Sequence, residues 1–238
     1  MDSTRLLKRR EQSLGAGAEL FYSQPIQLVR GQGAHVFDEA GRRYVDFYNN
    51  VPAVGHGNAY VADAISLQQR TLNVNSRYLH EGVIAYAERL AALHCPGIES
   101  FIFSCSGTEA NEVAIQMARL ATGRRGVLCT NAAYHGNSDL VGRLTNVGRT
   151  QPESEEIRSF PFPDLYRPIA EELSEEELED AYLATVRQAI ERFEASGIGL
   201  AAMLVCSIFA NEGLPNLPGR FMARAAAMVR DAGGLVIA

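Results

Sequence analysis

From Pro96-Gly97 onward the chain alternates short apolar runs with longer amphipathic ones, and this alternation constrains the fold more than any other feature. Residues 100–105, 126–130, 200–208 and 234–238 read as strands. Between them, residues 108–120, 175–195 and 220–232 carry apolar side chains at helical spacing. Strands alternating with helices predict an α/β fold, a mostly parallel sheet with flanking helices on both faces. Ser174-Glu175-Glu176-Glu177 predicts a capping box at one helix start. The Pro- and Glu-rich residues 151–172 read as a surface excursion, with a short strand at residues 159–162.

The N-terminal part has a different texture. Residues 34–38 and 43–47, separated by Glu39-Ala40-Gly41-Arg42, read as a hairpin in a small lobe. Residues 60–72 and 82–93 follow as amphipathic helices, with the polar stretch 73–80 between them. The expected division is a small-lobe segment over residues 1–60 and a large domain over residues 61–238 that is incomplete at its C-terminus. Gly234-Leu235-Val236-Ile237-Ala238 ends in mid-strand. The carboxyl end of a parallel strand normally delivers functional groups, so this ending implies the front part of a longer protein.

Charge and residue counts exclude several functions. A formal charge of -6 with no Lys/Arg block argues against nucleic acid or an anionic membrane as partner, since phosphate neutralisation needs clustered positive charge. No apolar run approaches the roughly 18 residues that span a bilayer. The first fifteen residues lack the apolar core of a signal peptide, and the cytoplasm is the expected location. Cys95, Cys105, Cys129 and Cys206 show no metal-ligand spacing and are expected as buried thiols. Lys8 is the only lysine, so no amine nucleophile can come from the core of this chain.

Two segments carry chemistry. Ser104-Cys105-Ser106-Gly107-Thr108-Glu109-Ala110-Asn111 joins a predicted strand to a helix. Gly107 permits close backbone approach, and Thr108 offers a hydroxyl at the positive end of the helix, the elements of a phosphate site. An ordinary strand-to-helix turn capped by Thr108 has the same residues. Tyr134-His135-Gly136 follows the next strand with an aromatic face, a titratable ring and a flexible glycine. Both segments fall at the carboxyl ends of predicted parallel strands, where open α/β sheets bind ligands.

The joint order of these motifs resembles class III pyridoxal-phosphate-dependent aminotransferases, enzymes of fold type I. The resemblance runs from about Val29 through Arg30-Gly31-Gln32-Gly33-Ala34, the hairpin, Val54-Gly55-His56, the Ser106 to Asn111 turn, Tyr134-His135-Gly136 and Gly233-Gly234-Leu235-Val236-Ile237-Ala238. It implies pyridoxal 5'-phosphate as cofactor, with Ser106, Gly107 and Thr108 at its phosphate, Tyr134 stacked on its ring and His135 beside it. Asn49-Asn50-Val51 and residues 72–80 look most like the branch of ethanolamine-phosphate and hydroxylysine-phosphate phospho-lyases, which implies Asn50 and Tyr78 near a small amine or amino-acid substrate. Fold type I enzymes complete their pocket across a homodimer interface.

This sequence departs from the family pattern in three ways. Gly57-Asn58-Ala59 stands where the family continues with His and Pro, Cys206 and Phe209 replace a Glu and a Gln, and neither the ring-pairing Asp nor the Schiff-base Lys is present. The expected activity is amino transfer through an external aldimine, completed by residues outside this sequence. A phospho-lyase is the alternative, and a non-catalytic binding protein with the same fold is the reading from another class.

Overall fold

The structure is a computed structural model and describes residues 3–17, 20, 22–49, 53–146 and 154–238. It divides into two compact units, Met1–Tyr86 and Ala87–Ala238.

The first unit opens with helix α1 (Ser3–Leu14), in a segment that sequence reasoning left without structure. Strands β1 (Leu28–Gln32), β2 (His35–Asp38) and β3 (Arg43–Val45) then form an antiparallel sheet in sequential order. The predicted hairpin is β2–β3, and β1 extends it. Arg30 faces Phe37 across β1–β2, with its guanidinium 3.6 Å from the ring centroid. Asp38 is buried and organises the turn: it accepts from Ala40 N at 3.0 Å, Arg42 N at 2.9 Å, Arg42 Nε at 2.7 Å and Tyr44 Oη at 2.9 Å. Four donors on one carboxylate satisfy the acceptor capacity that burial would otherwise leave exposed to an apolar environment.

The loop carrying His56 is tied to this sheet. Gly33 and His56 exchange backbone hydrogen bonds at 2.9 Å each, and His56 Nε2 lies 2.7 Å from Asp46 Oδ2. A Cβ on Gly31 would sit 2.6 Å from His56 Cγ, so the glycine is what lets the ring pack there. Asn58 then caps helix α2 (Ala59–Thr71), accepting from Val61 N at 3.1 Å. The departure at Gly57-Asn58-Ala59 thus builds a helix start. Helix α3 (Glu81–Ala91) follows. Its expected apolar stripe is not core: α2 and α3 have no buried residue, and Val83, Ile84, Tyr86 and Leu93 are exposed.

The second unit contains α4 (Gly107–Thr122), β4 (Gly126–Thr130), α5 (Asp139–Gly142), β5 (Ile157–Phe160), α6 (Glu175–Ala195), β6 (Leu200–Leu204), α7 (Phe221–Asp231) and β7 (Leu235–Ile237). The strands form one parallel sheet in the order β5-β4-β6-β7. Alternation along β4 splits the core: Val127 and Cys129 pack with Ile115 of α4 and with Leu140, Val141 and Leu144, while Leu128 packs with α6 and α7 on the other face. Helix α6 buries Leu178, Tyr182, Leu183, Val186, Ala189, Ile190 and Phe193 on one stripe. Burying a large apolar side chain such as Leu, Val or Phe is worth about 1.5–3 kcal/mol relative to exposure. The predicted capping box is present, with Glu177 N donating to Ser174 Oγ at 3.3 Å and Ser174 N to Glu177 Oε2 at 2.9 Å.

Four sequence expectations are corrected here. Residues 100–105 are not a strand: among the described residues no strand pairs with them, so they join no ladder. The strand expected over residues 200–208 stops at Leu204, because Phe209 N bonds back to Cys206 O at 3.1 Å and turns the chain. The strand expected at residues 159–162 lies at Ile157–Phe160, and its buried Ile157 and Phe160 make it part of the core rather than of a surface excursion. Finally, only Cys129 is a buried thiol; Cys206 is half-buried, and Cys95 and Cys105, which lie outside the helices and strands, are exposed.

Candidate cofactor site

The site lies where the turn into α4 meets the loop after β4. Ser106 is the N-cap of α4, its hydroxyl accepting from Glu109 N at 3.1 Å and its carbonyl from Ala110 N at 3.0 Å. Glu109 reaches back to accept from Cys105 N at 2.8 Å, and Ser104 Oγ donates to Ser106 O at 3.0 Å. The cap is therefore Ser106 and not Thr108, so the Thr108 hydroxyl is not needed to start the helix. Among the described residues this leaves the N–H groups of Gly107 and Thr108 as the uncapped donors of a sixteen-residue helix. Open space lies where a Gly107 Cβ would be. Free donors, a positive dipole end and room for close approach are what an anionic group requires.

The second half of the site is held against the first. Gly136 has φ +140, and a Cβ there would come 2.5 Å from Thr108 Oγ1. Asn111, one turn into α4, donates from Nδ2 to His135 O at 2.8 Å. Glu112 accepts from the Ser138 hydroxyl. His135 is buried, its Nε2 has no partner among the described residues, and burial pushes its pKa down to about 4. It is thus a neutral ring near pH 7. Tyr134 is about half exposed, and its phenolic oxygen accepts from Asn137 Nδ2 at 2.8 Å.

Of the residues singled out from sequence, the structure brings Ser106, Gly107, Thr108, His135 and Gly136 into one constellation, with Tyr134 next to it. Tyr78 is an exposed residue of the first unit, and Asn50 lies outside the described residues. Sequence reasoning gave no role to Thr145 or Glu212. Thr145 is buried and bonds the backbone of His135 and Gly136. Glu212 accepts from the Thr130 hydroxyl at the end of β4, while its second oxygen is buried without a partner among the described residues. Cys206 accepts from Ala210 N at 3.4 Å, and Phe209 is buried with φ 49. Glu212, three residues after Phe209, is the carboxylate that this loop brings to the end of β4. No pattern marks a threonine after an apolar run or a loop glutamate as a partner of a distant strand, so neither could be found by spacing.

Comparison with known proteins identifies the family. The sequence profile described as aminotransferase class-III matches residues 20–238. The chain belongs to the class III aminotransferase family. An alanine–glyoxylate aminotransferase 2-like protein of Drosophila melanogaster is 33% identical over 248 residues, covering 100% of this chain and 50% of that protein. An ethanolamine-phosphate phospho-lyase homolog of Caenorhabditis elegans is 29% identical, covering 98% of this chain and 52% of that protein. The structure of an Arthrobacter phospholyase in complex with phosphoethanolamine superposes with a TM-score of 0.91 at 40% identity, covering 97% of this chain and 55% of that one. The fold is that of fold type I transferases, and the chain spans about half the length of the curated relatives it matches.

Class III aminotransferases are pyridoxal-phosphate enzymes. The residues present fit that cofactor. Uncapped N–H groups at Gly107 and Thr108, the space over Gly107 and the unpartnered Nε2 of His135 are features that a bound phosphorylated ring would use.

Proposed function

We propose that this class III chain supplies the phosphate and ring contacts of a pyridoxal-phosphate-dependent aminotransferase acting on a small amine or amino acid. The observation that carries the reading is the junction of Gly107-Thr108 with His135-Gly136 at the N-terminus of α4, on a chain matched by the family from residue 20 to residue 238. When bound, pyridoxal phosphate supplies an electron-withdrawing ring that stabilises negative charge at a substrate carbon.

The residues of this chain would act on that cofactor by position. Gly107 and Thr108 offer two backbone donors, and Thr108 adds a hydroxyl, to hold the phosphate. Tyr134 offers a face for the ring. His135, neutral because it is buried, contributes a ring nitrogen without adding charge. None of these side chains is an amine nucleophile, and Lys8 is far in sequence from every site residue, so covalent attachment and proton transfer at the substrate fall to groups outside these 238 residues. Asn50 and Tyr78 are proposed for the substrate side, in a homodimer located in the cytoplasm.

A phospho-lyase acting on a phosphorylated amine is the second reading, favoured by the 40% identity to the Arthrobacter phospholyase. Incubating the intact protein with pyridoxal phosphate and either an amino donor plus a keto acid or phosphoethanolamine separates the two. Amino transfer with no phosphate release supports the aminotransferase; stoichiometric release of inorganic phosphate supports the lyase. Cofactor binding with neither reaction, across a panel of amines, would favour a non-catalytic role.

A further inference from the structure

Thr145 is 1% exposed and lies beyond α5, nine residues from Gly136 in sequence. Its hydroxyl accepts from His135 N at 3.1 Å and from Gly136 N at 3.3 Å, and faces two carbonyl oxygens, Gly136 O at 2.8 Å and Val141 O at 3.2 Å. One hydroxyl carries one proton, so it donates to one carbonyl at a time while accepting from both amides. From the other side Asn111 Nδ2 holds His135 O at 2.8 Å. The His135–Gly136 segment is therefore clamped between a buried hydroxyl and α4, where Gly136 closely approaches Thr108.

We infer that Thr145 is a positioning residue for the cofactor site: its hydroxyl fixes the His135–Gly136 backbone at the spacing from Gly107-Thr108 that a phosphorylated ring must span. The inference rests on the cofactor reading given above. It follows from the number of backbone groups that converge on this one atom. In a buried loop each N–H and C=O needs a partner, and here a single side chain serves both amides of the segment. Removing the hydroxyl leaves those amides unsatisfied, and the segment recovers partners only by moving, which shifts Gly136 against Thr108. A side chain that merely filled space would leave that spacing unchanged.

The test uses the intact protein, with pyridoxal phosphate affinity read by equilibrium titration and bound-phosphate environment by phosphorus NMR. Thr145→Val keeps the shape and removes the hydroxyl, whereas Thr145→Ser keeps the hydroxyl. The expected result is about three- to tenfold weaker binding and a displaced phosphorus resonance for Thr145→Val, with Thr145→Ser restoring both. Asn111→Ala releases the clamp from the half-buried side and is expected to weaken binding in the same direction, which keeps the inference testable if Thr145→Val does not fold. Unchanged affinity and resonance in the folded variants, with only a lower melting temperature, would overturn the positioning role while leaving the cofactor reading intact. Failure of the unaltered protein to bind pyridoxal phosphate would overturn that reading and the inference with it.

Discussion

Gly136 sits so close to Thr108 that a single added carbon would fall 2.5 Å from the Thr108 hydroxyl oxygen. The contact joins the loop after β4 to the first turn of α4, and the glycine's φ of +140 is one that side-chain-bearing residues rarely adopt. Gly136→Ala should therefore both strain the backbone and push the two halves of the site apart. A loss of about 1–3 kcal/mol in urea-denaturation stability is expected, together with weaker pyridoxal phosphate binding. Wild-type stability and affinity would show that the loop has room to yield.

Thr108→Val tests the phosphate contact itself. Because Ser106 is the cap, the change removes no capping hydrogen bond, and valine keeps the side-chain shape. Loss of one hydrogen bond to a charged group is worth about 1.5–3 kcal/mol, or roughly a ten- to hundredfold weaker cofactor affinity. Equilibrium titration with unchanged helix content is the measurement; an unchanged affinity would show that the Thr108 hydroxyl does not hold the phosphate.

His135 gives the site a pH dependence. Its folded-state pKa, pushed down to about 4 by burial, lies below the 6.5 of an exposed imidazole. Between those values the unfolded chain binds a proton that the folded chain does not, so stability rises with pH there. The contribution is fully present above pH 6.5, is lost progressively as pH falls toward 4, and amounts to on the order of 3 kcal/mol. Urea midpoints measured from pH 7.5 to pH 4.5 should fall, and His135→Gln should flatten the part of the slope that belongs to this ring.

The parallel core was legible in the sequence because its signals are local and periodic. The limits of β4 and α6 follow from apolar runs and a capping box that need no distant partner. Residues 100–105 failed for the opposite reason: their composition suits a strand, yet a strand also needs a neighbour to pair with. The stripe on α3 misled similarly, since periodicity says which face is apolar and not what covers it. In the candidate site, Gly107, Thr108 and His135 were singled out by their place at predicted strand ends and by family order, whereas the contacts of Thr145 with His135 and Gly136, and of Glu212 with Thr130, join residues nine or more positions apart and leave no mark on spacing.

The lysine content fixes the next expectation. Borohydride traps pyridoxal phosphate only where it has formed an imine with an amine, and Lys8 is the sole lysine among these residues. After loading, reduction and digestion of the intact protein, peptides from residues 107–238 should carry no pyridoxyl mass. An adduct there would require an amine this sequence does not contain and would contradict the division of labour proposed for the site.

Assembly provides the last prediction. In the first unit, Tyr60 and Leu67 lie two turns apart on α2, 84% and 70% exposed, and Ile65 and Leu79 are exposed as well. Apolar side chains at this density on helices without a buried residue form a surface that association would cover. The intact protein is expected to be a homodimer by light scattering. If this surface contributes to the interface, the double substitution Tyr60→Glu and Leu67→Glu should weaken the dimer at least tenfold, with little change in the monomer's own stability because neither residue is buried in it. The mutated positions make the outcome specific: a wild-type protein that stays monomeric at all concentrations would overturn the dimer, whereas a dimer unaffected by the two charges would move its interface off α2.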